Sequence, residues 1–236
     1  MQEMYGEIAE VMIEARGITR SFPLGNGEDI LVLKGIDWTR PAGQLTILKG
    51  RSGSGKTTLL NILSALDTPS SGTVYLKNQE IGGAPERERE KLRRLEMGYI
   101  FQAVALIPVM NAYENVEFEL RLSEYAGDRE ERAKECLEMV GLKKRMLHMP
   151  GELSGGEQQR VAIARAVSHK PKVICADEPT GALDTNTGLA VMRLFKELIE
   201  KEGITIVMTT HDTNLMELGD VVYELEDGQI TGQVIE

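Results

Sequence analysis

The stretch GRSGSGKTT (50–58) has the residue types and spacing to hold a row of phosphates. Gly50, Gly53 and Gly55 let backbone N–H groups curve around an anion with no Cβ in the way. Lys56 supplies a cation for the β- and γ-phosphates, and the Thr57 hydroxyl a ligand for Mg2+. Arg51, Ser52, Ser54 and Thr58 complete the candidate nucleotide contacts of this loop. A second stretch, KVICADE (172–178), is an apolar, β-branched run that ends in two acids. A buried strand here delivers Asp177 to the C-terminal edge of a sheet, where open α/β folds bind their ligands. Beside a phosphate loop, Asp177 can hold Mg2+ through water and Glu178 can polarise an attacking water. Alone, the pattern better describes a strand ending in solvated acids; beside a phosphate loop that reading becomes the minor one. A third stretch, LSGGEQQRVAIARA (153–166), opens a helix with Ser154, Gly155, Gly156 and Glu157. Ser154 and Glu157 fit a capping box. The box does not explain two glycines, which weaken a first turn, whereas a second anion site at a helix start does.

These groups need elements to place them. QLTILKG (44–50) reads as a strand running into the loop and TTLLNILSAL (57–66) as the helix leaving it, with DTPSSG (67–72) as the stop. KVICADE and ITIVMTTHD (204–212) read as buried strands, separated by a helix GLAVMRLFKELIEKEG (188–203) closed by its glycine. Continuous apolar strands alternating with helices predict a parallel sheet covered on both faces. Before it, VMIEARGITRSF (11–22) and ILVLKGIDWTR (30–40) flank a loop, PLGNGED (23–29), and TVYLKNQEI (73–81) reads as one further strand. A charged helix over 85–96, ended by Gly98, leads into the strand MGYIFQ (97–102). The block from about 103 to 168 is expected to be helical and inserted in the sheet domain. Asn111 with Glu114 and Asp128 with Glu131 mark helix starts there, and Gly141 a helix end.

A formal charge of −10 and a pI near 5.0 argue against broad binding to nucleic acid or to an anionic membrane, both of which need a basic face. The longest apolar run, AVALIPVM (103–110), is too short to span a bilayer. The opening residues MQEMYGEIAE are acidic and precede no apolar segment, so no leader is expected. Cys136 and Cys175 read as buried thiols of a reducing, cytoplasmic compartment rather than as a disulfide.

The ordered motifs resemble those of the nucleotide-binding subunit of ATP-binding cassette (ABC) transporters. They are the loop at 50–58, Gln102 ending MGYIFQ, LSGGEQQR (153–160), VICADEPTGALD (173–184) and His211 in TTHD. The resemblance implies an α/β fold with a P-loop NTPase (RecA-like) core, an N-terminal antiparallel β lobe and an inserted α-helical subdomain. It implies a single ABC ATPase domain over 1–236, with lobe and core at about 1–102 and 169–236 and the helical signature subdomain at about 103–168. ATP and Mg2+ are the implied ligands. Thr57, Gln102 and Asp177 would serve the metal, Glu178 would be the general base, and His211 would contact the γ-phosphate. Taken alone, Gln102 reads better as a strand-end polar residue and His211 as a structural histidine; the ordered motifs around them favour the site. Ser154, Gly155, Gly156, Glu157 and Asp184 would face the ATP of a second copy, which explains two phosphate-binding helix starts in one chain. Phe22 lies where relatives place an aromatic, often tyrosine, against adenine; a core position in the N-terminal lobe fits it equally.

LDTPSSGTVYL (66–76), FQAVALIPVMNAYENVEFEL (101–120) and ADEPTGALD (176–184) most resemble the lipoprotein-release, macrolide-export and cell-division branch. That branch implies a membrane permease docking near 103–115, and hence a place on the inner face of the cell membrane. Leu106, Ile107 and Val109 could line that dock or pack into the helical subdomain. A nucleotide-dependent scaffold of a membrane complex uses the same site residues, so it stands as the alternative to a transport motor.

Overall fold

The computed structural model describes residues 10–235 apart from 26 and 182. The acidic opening stretch at 1–9, one residue of the 23–29 loop and one of the 173–184 motif lie outside the described residues.

A long hairpin, β1 (Val11–Pro23) and β2 (Asp29–Pro41), opens the chain. It is followed by β3 (Leu45–Lys49), α1 (Lys56–Leu63), β4 (Ser71–Leu76), β5 (Gln79–Glu80), α2 (Glu86–Glu96) and β6 (Met97–Ile100). Three helices come next, α3 (Ala112–Leu122), α4 (Arg129–Met139) and α5 (Gly155–Ser168), with single 3-10 turns between the last two. The chain continues through β7 (Val173–Ala176), α6 (Thr185–Glu202), β8 (Thr205–Thr209), α7 (Thr213–Met216), β9 (Val221–Glu226) and β10 (Gln229–Ile235).

The strands form two sheets. One is antiparallel in the order β2-β1-β4-β5; the other runs β10-β9-β3-β8-β7-β6 and is parallel except for its β10 edge. Period-2 alternation sorts the parallel strands between two cores. Leu48, Val173, Cys175 and Val207 face the antiparallel sheet and α1, packing with Ile13, Trp38, Leu59 and Ile62. Ile47, Ile174, Ala176, Ile206 and Met208 face the other way, onto α3, α5 and α6. Both faces of the sheet are therefore buried, which is why its strands read as unbroken apolar runs. Cys136 and Cys175 are buried free thiols. No helix of the described residues is long and apolar enough to cross a membrane.

Three expectations need correction. The 73–81 stretch is not one strand: Lys77 and Asn78 both take left-handed backbone (φ 46° and 64°) and turn it into the β4–β5 hairpin. Gly98 does not end α2, which stops at Glu96; it lies inside β6, where a Cβ would fall 2.3 Å from the Ala166 carbonyl oxygen. Its smallness serves close packing of β6 on α5. The inserted block is irregular from 103 to 111 and becomes helical only at Ala112. The starts expected from sequence hold: Asn111 and Glu114 form a capping box, and Asp128 accepts from the Glu131 N–H.

Candidate functional site

The phosphate loop leaves β3 at Gly50, whose φ of 153° is followed by close packing on β9. A Cβ there would lie 2.2 Å from the Leu225 carbonyl oxygen and 2.8 Å from Ser54 Oγ. Gly55 caps α1 in left-handed conformation (φ 103°), and a Cβ on it would meet Leu33 Cδ2 at 2.8 Å. Glycine at both positions is thus a steric requirement of this loop. Among the described residues no side chain caps α1, which leaves the N–H groups of its first turn available at the loop. Lys56 is buried, its Nζ donating to the carbonyls of Gly50 (2.8 Å) and Arg51 (3.0 Å). Ser54 Oγ is buried within the same loop and has no hydrogen-bond partner among the described residues. A cradle of free N–H groups, one ammonium and one unpaired hydroxyl suits a polyphosphate.

Parallel pairing of β6, β7 and β8 brings the next groups together. Ile100 pairs with Ala176, and Ala176 with Met208, so the residues just beyond each rung meet at one sheet edge. Asp177, almost fully buried, accepts from Thr57 Oγ1 (2.8 Å) at one oxygen and from Thr209 Oγ1 (2.7 Å) at the other. Thr209 Oγ1 in turn accepts from the Glu178 N–H (2.9 Å). Glu178 sits at φ 46°, a conformation that strains any residue with a Cβ. It turns the carboxylate out of the strand line, where Gln102 Nε2 donates to it at 3.2 Å and His211 Nδ1 stands 3.5 Å away. Thr57, Asp177, Glu178, Gln102 and His211 thus form one connected cluster. The Thr57 hydroxyl and Asp177 carboxylate are hard oxygen donors side by side at the mouth of the loop, a donor set that fits Mg2+. Thr209 was not among the sequence candidates. Only the strand register reveals it, as the residue one step past the Ala176–Met208 rung.

The second helix start is different. Ser154 Oγ accepts from the Glu157 N–H (3.3 Å) and donates to the Glu157 carboxylate (2.9 Å), which also takes the Ser154 N–H (2.9 Å). These bonds hold the Glu157 carboxyl below its usual range. Ser154 and Gly155 are exposed, and a Cβ on Gly155 would meet nothing within 4 Å. Gly156 borders Leu183, next to Asp184 in sequence. Asp184 caps α6, accepting from the Asn186 and Thr187 N–H groups and the Thr187 hydroxyl; this last bond is the main reason its carboxyl is held low. Among the described residues no hydrogen bond joins Ser154, Glu157 or Asp184 to the Asp177 cluster.

Phe22 belongs to neither apolar core; it is half-buried, with the Arg20 guanidinium 4.6 Å from its ring centre. The 103–110 run divides. Leu106 packs against the core, Val109 is 79% exposed, and Ala105 and Ile107 line a groove of about 480 Å³ with Tyr99, Phe101, Phe118 and Leu122. The groove lies at the seam between β6 and the helices α2, α3 and α5.

The profile of the ABC transporter family matches residues 33–181. The chain is 43% identical over 225 residues to MJ0796, an uncharacterized ABC transporter ATP-binding protein of Methanocaldococcus jannaschii, covering 93% of this chain and 95% of that one. It is 42% identical over 226 residues to lipoprotein-releasing system ATP-binding protein LolD 2 of Rhodopirellula baltica, covering 93% and 88%. A solved dimer of the MJ0796 cassette in a post-hydrolysis state, bound to ADP and phosphate, matches with a TM-score of 0.90 at 40% identity, over 95% of this chain and 98% of that one.

Proposed function

Because this chain belongs to the ABC transporter family, we propose that its two phosphate-binding helix starts serve two nucleotides buried between two copies of the chain. It is an ATP-binding and ATP-hydrolysing subunit of the ABC class. We read 1–236 as one cassette, with lobe and core at about 1–102 and 169–236 and the helical signature subdomain at about 103–168.

In this reading the loop at Gly50–Thr58 holds the phosphates of the chain's own ATP. Lys56 turns from its two carbonyls to the β- and γ-oxygens, and the ring of Phe22 stacks on the base. Thr57, Asp177 and Gln102 would hold Mg2+, which when bound neutralises charge on the phosphates. Glu178 takes a proton from the attacking water, with Gln102 and His211 orienting its carboxylate and His211 reaching the γ-phosphate. Thr209 fixes both acids by bonding the side chain of one and the backbone of the other. The Ser154–Gly156 helix start, with Glu157 and Asp184 beside it, faces the γ-phosphate of the partner copy. The dimeric MJ0796 cassette supports this arrangement, as does the two-fold symmetry such an exchange favours. The apolar groove at the seam suits a short helix of a membrane permease, which would hold the cassette peripherally on the inner face of the membrane. Closure of the dimer would then move the permease.

The observation that carries the reading is the Asp177 network, which joins phosphate loop, metal ligand and general base through hydrogen bonds of 2.7 to 2.9 Å. The test is Glu178→Gln. Steady-state turnover should fall by about 10²–10⁴-fold, with MgATP binding retained and a dimer seen by light scattering in ATP. A monomer at saturating ATP would overturn the sandwich.

A further inference from the structure

Phe22 is flanked by a pair of charged residues that no part of the phosphate chemistry requires. Arg20 Nε and one terminal nitrogen donate to the two oxygens of Asp67 (2.9 and 2.8 Å), a bidentate fork on half-buried side chains. The same guanidinium lies 4.6 Å from the centre of the Phe22 ring. Asp67 is itself held in place. One of its oxygens takes the Thr68 N–H (2.8 Å), and its own N–H donates to the carbonyl of Asn61 in α1 (3.1 Å). The helix that starts at the phosphate loop is therefore tied at its far end, through Asp67 and Arg20, to the ring of Phe22.

The hairpin places that ring near the loop. Phe22 pairs with Ile30 across the β1–β2 ladder. Val32, two residues and about 7 Å farther along β2, lies at Gly55, its Cγ1 3.5 Å from where a Cβ would sit. An aromatic ring has two faces. Here the guanidinium stands over one of them, and the ring's partial exposure leaves surface for a second flat group. A planar, always-charged guanidinium pinned by a carboxylate is a rigid backing for a ring. A base landing on a pre-set ring loses less freedom on binding than one that must order it.

We propose that Arg20, anchored by Asp67, is a positioning residue for the purine base, holding Phe22 as a fixed stacking platform. The proposal rests on the reading of Phe22 as the adenine contact and adds to it the device that sets the ring. Arg20 acts only through Phe22 and does not touch the phosphates.

Calorimetric binding of MgATP and of inorganic tripolyphosphate to the full chain tests this. Arg20→Ala and Asp67→Asn should each raise the ATP dissociation constant about fivefold, the range of one cation–π contact, and leave tripolyphosphate binding unchanged. Arg20→Lys should recover part of the loss. In a Phe22→Ala background, Arg20→Ala should have no further effect, because the two residues then share nothing to lose. Equal weakening of tripolyphosphate would mean a general loosening of the lobe and would overturn the proposal. So would an unchanged ATP affinity in Arg20→Ala, or an effect of equal size in the Phe22→Ala background. If Phe22→Ala itself leaves ATP affinity intact, the base-stacking reading falls. If Phe22→Ala weakens ATP while Arg20→Ala is silent, only the role of Arg20 falls.

Discussion

Two glycine-rich helix starts in this chain, those of α1 and α5, are finished to different degrees. At α1 the charged and metal-binding side chains are already engaged inside the chain: Lys56 on two carbonyls, Thr57 on Asp177, Asp177 on Thr209, Glu178 on Gln102. At α5 Ser154 and Glu157 bond each other, Arg145 pairs with Glu157, and Gly155 stands open. The first is closed by its own sheet; the second is exposed, and in the proposed reading its occupant is the nucleotide of a second copy. Local chemistry alone does not separate them, since both are glycine-rich and both are helix N-termini. What separates them is whether neighbouring strands deliver acids and hydroxyls to the same edge.

That contrast can be broken in graded ways. Lys56→Ala strikes the closed site. ATP binding should be lost and turnover reduced by about 10²–10³-fold, the scale of removing one placed donor to developing charge, as read by phosphate release and nucleotide titration. Ser154→Ala strikes the open one. The ATP-dependent dimer should disappear and turnover fall at least about tenfold, with ATP affinity of the monomer unchanged; the contribution of a single hydrogen bond to charged phosphate sets that scale. Light scattering beside calorimetry separates the two quantities, and a loss of monomer affinity would erase the distinction between the sites. Thr209→Val leaves one Asp177 oxygen and the Glu178 N–H without a partner. It should destabilise the chain by about 1–3 kcal/mol in denaturant unfolding and lower turnover as Glu178 loses its fixed backbone. Asp128→Ala is the control. It removes an N-cap of the same kind as Ser154 from an exposed helix start, costing about 1 kcal/mol in thermal unfolding, and should leave dimerisation and turnover untouched.

The sequence showed the parallel sheet because its strands are buried on both faces and so read as apolar runs. It showed the helix starts at Asn111, Asp128 and Ser154 because capping is local and written within four residues. It did not show Thr209, whose role depends on which strand lies beside β7, a fact carried by long-range register. Gly98 misled for a related reason. A glycine near a helix end reads as a stop, while its actual demand comes from the Ala166 carbonyl some seventy residues later in the chain. Lys77 and Asn78 were missed because neither is a glycine, although the turn requires positive φ at both. Nor does the sequence say that Gln102 and His211 meet at one carboxylate; that follows from the parallel pairing of β6 and β8 on either side of β7, which brings positions far apart in the chain to one sheet edge.

The exposed start of α5 also governs how damaged and intact chains would combine. If each composite site takes its loop from one copy and its helix start from the other, a Lys56→Ala chain paired with a Ser154→Ala chain gathers both lesions into one site. The opposite site inherits a sound loop and a sound helix start. Two inactive proteins, mixed, would thereby restore one working site per pair, and the recovered activity would follow the statistics of random assortment rather than the sum of the parts.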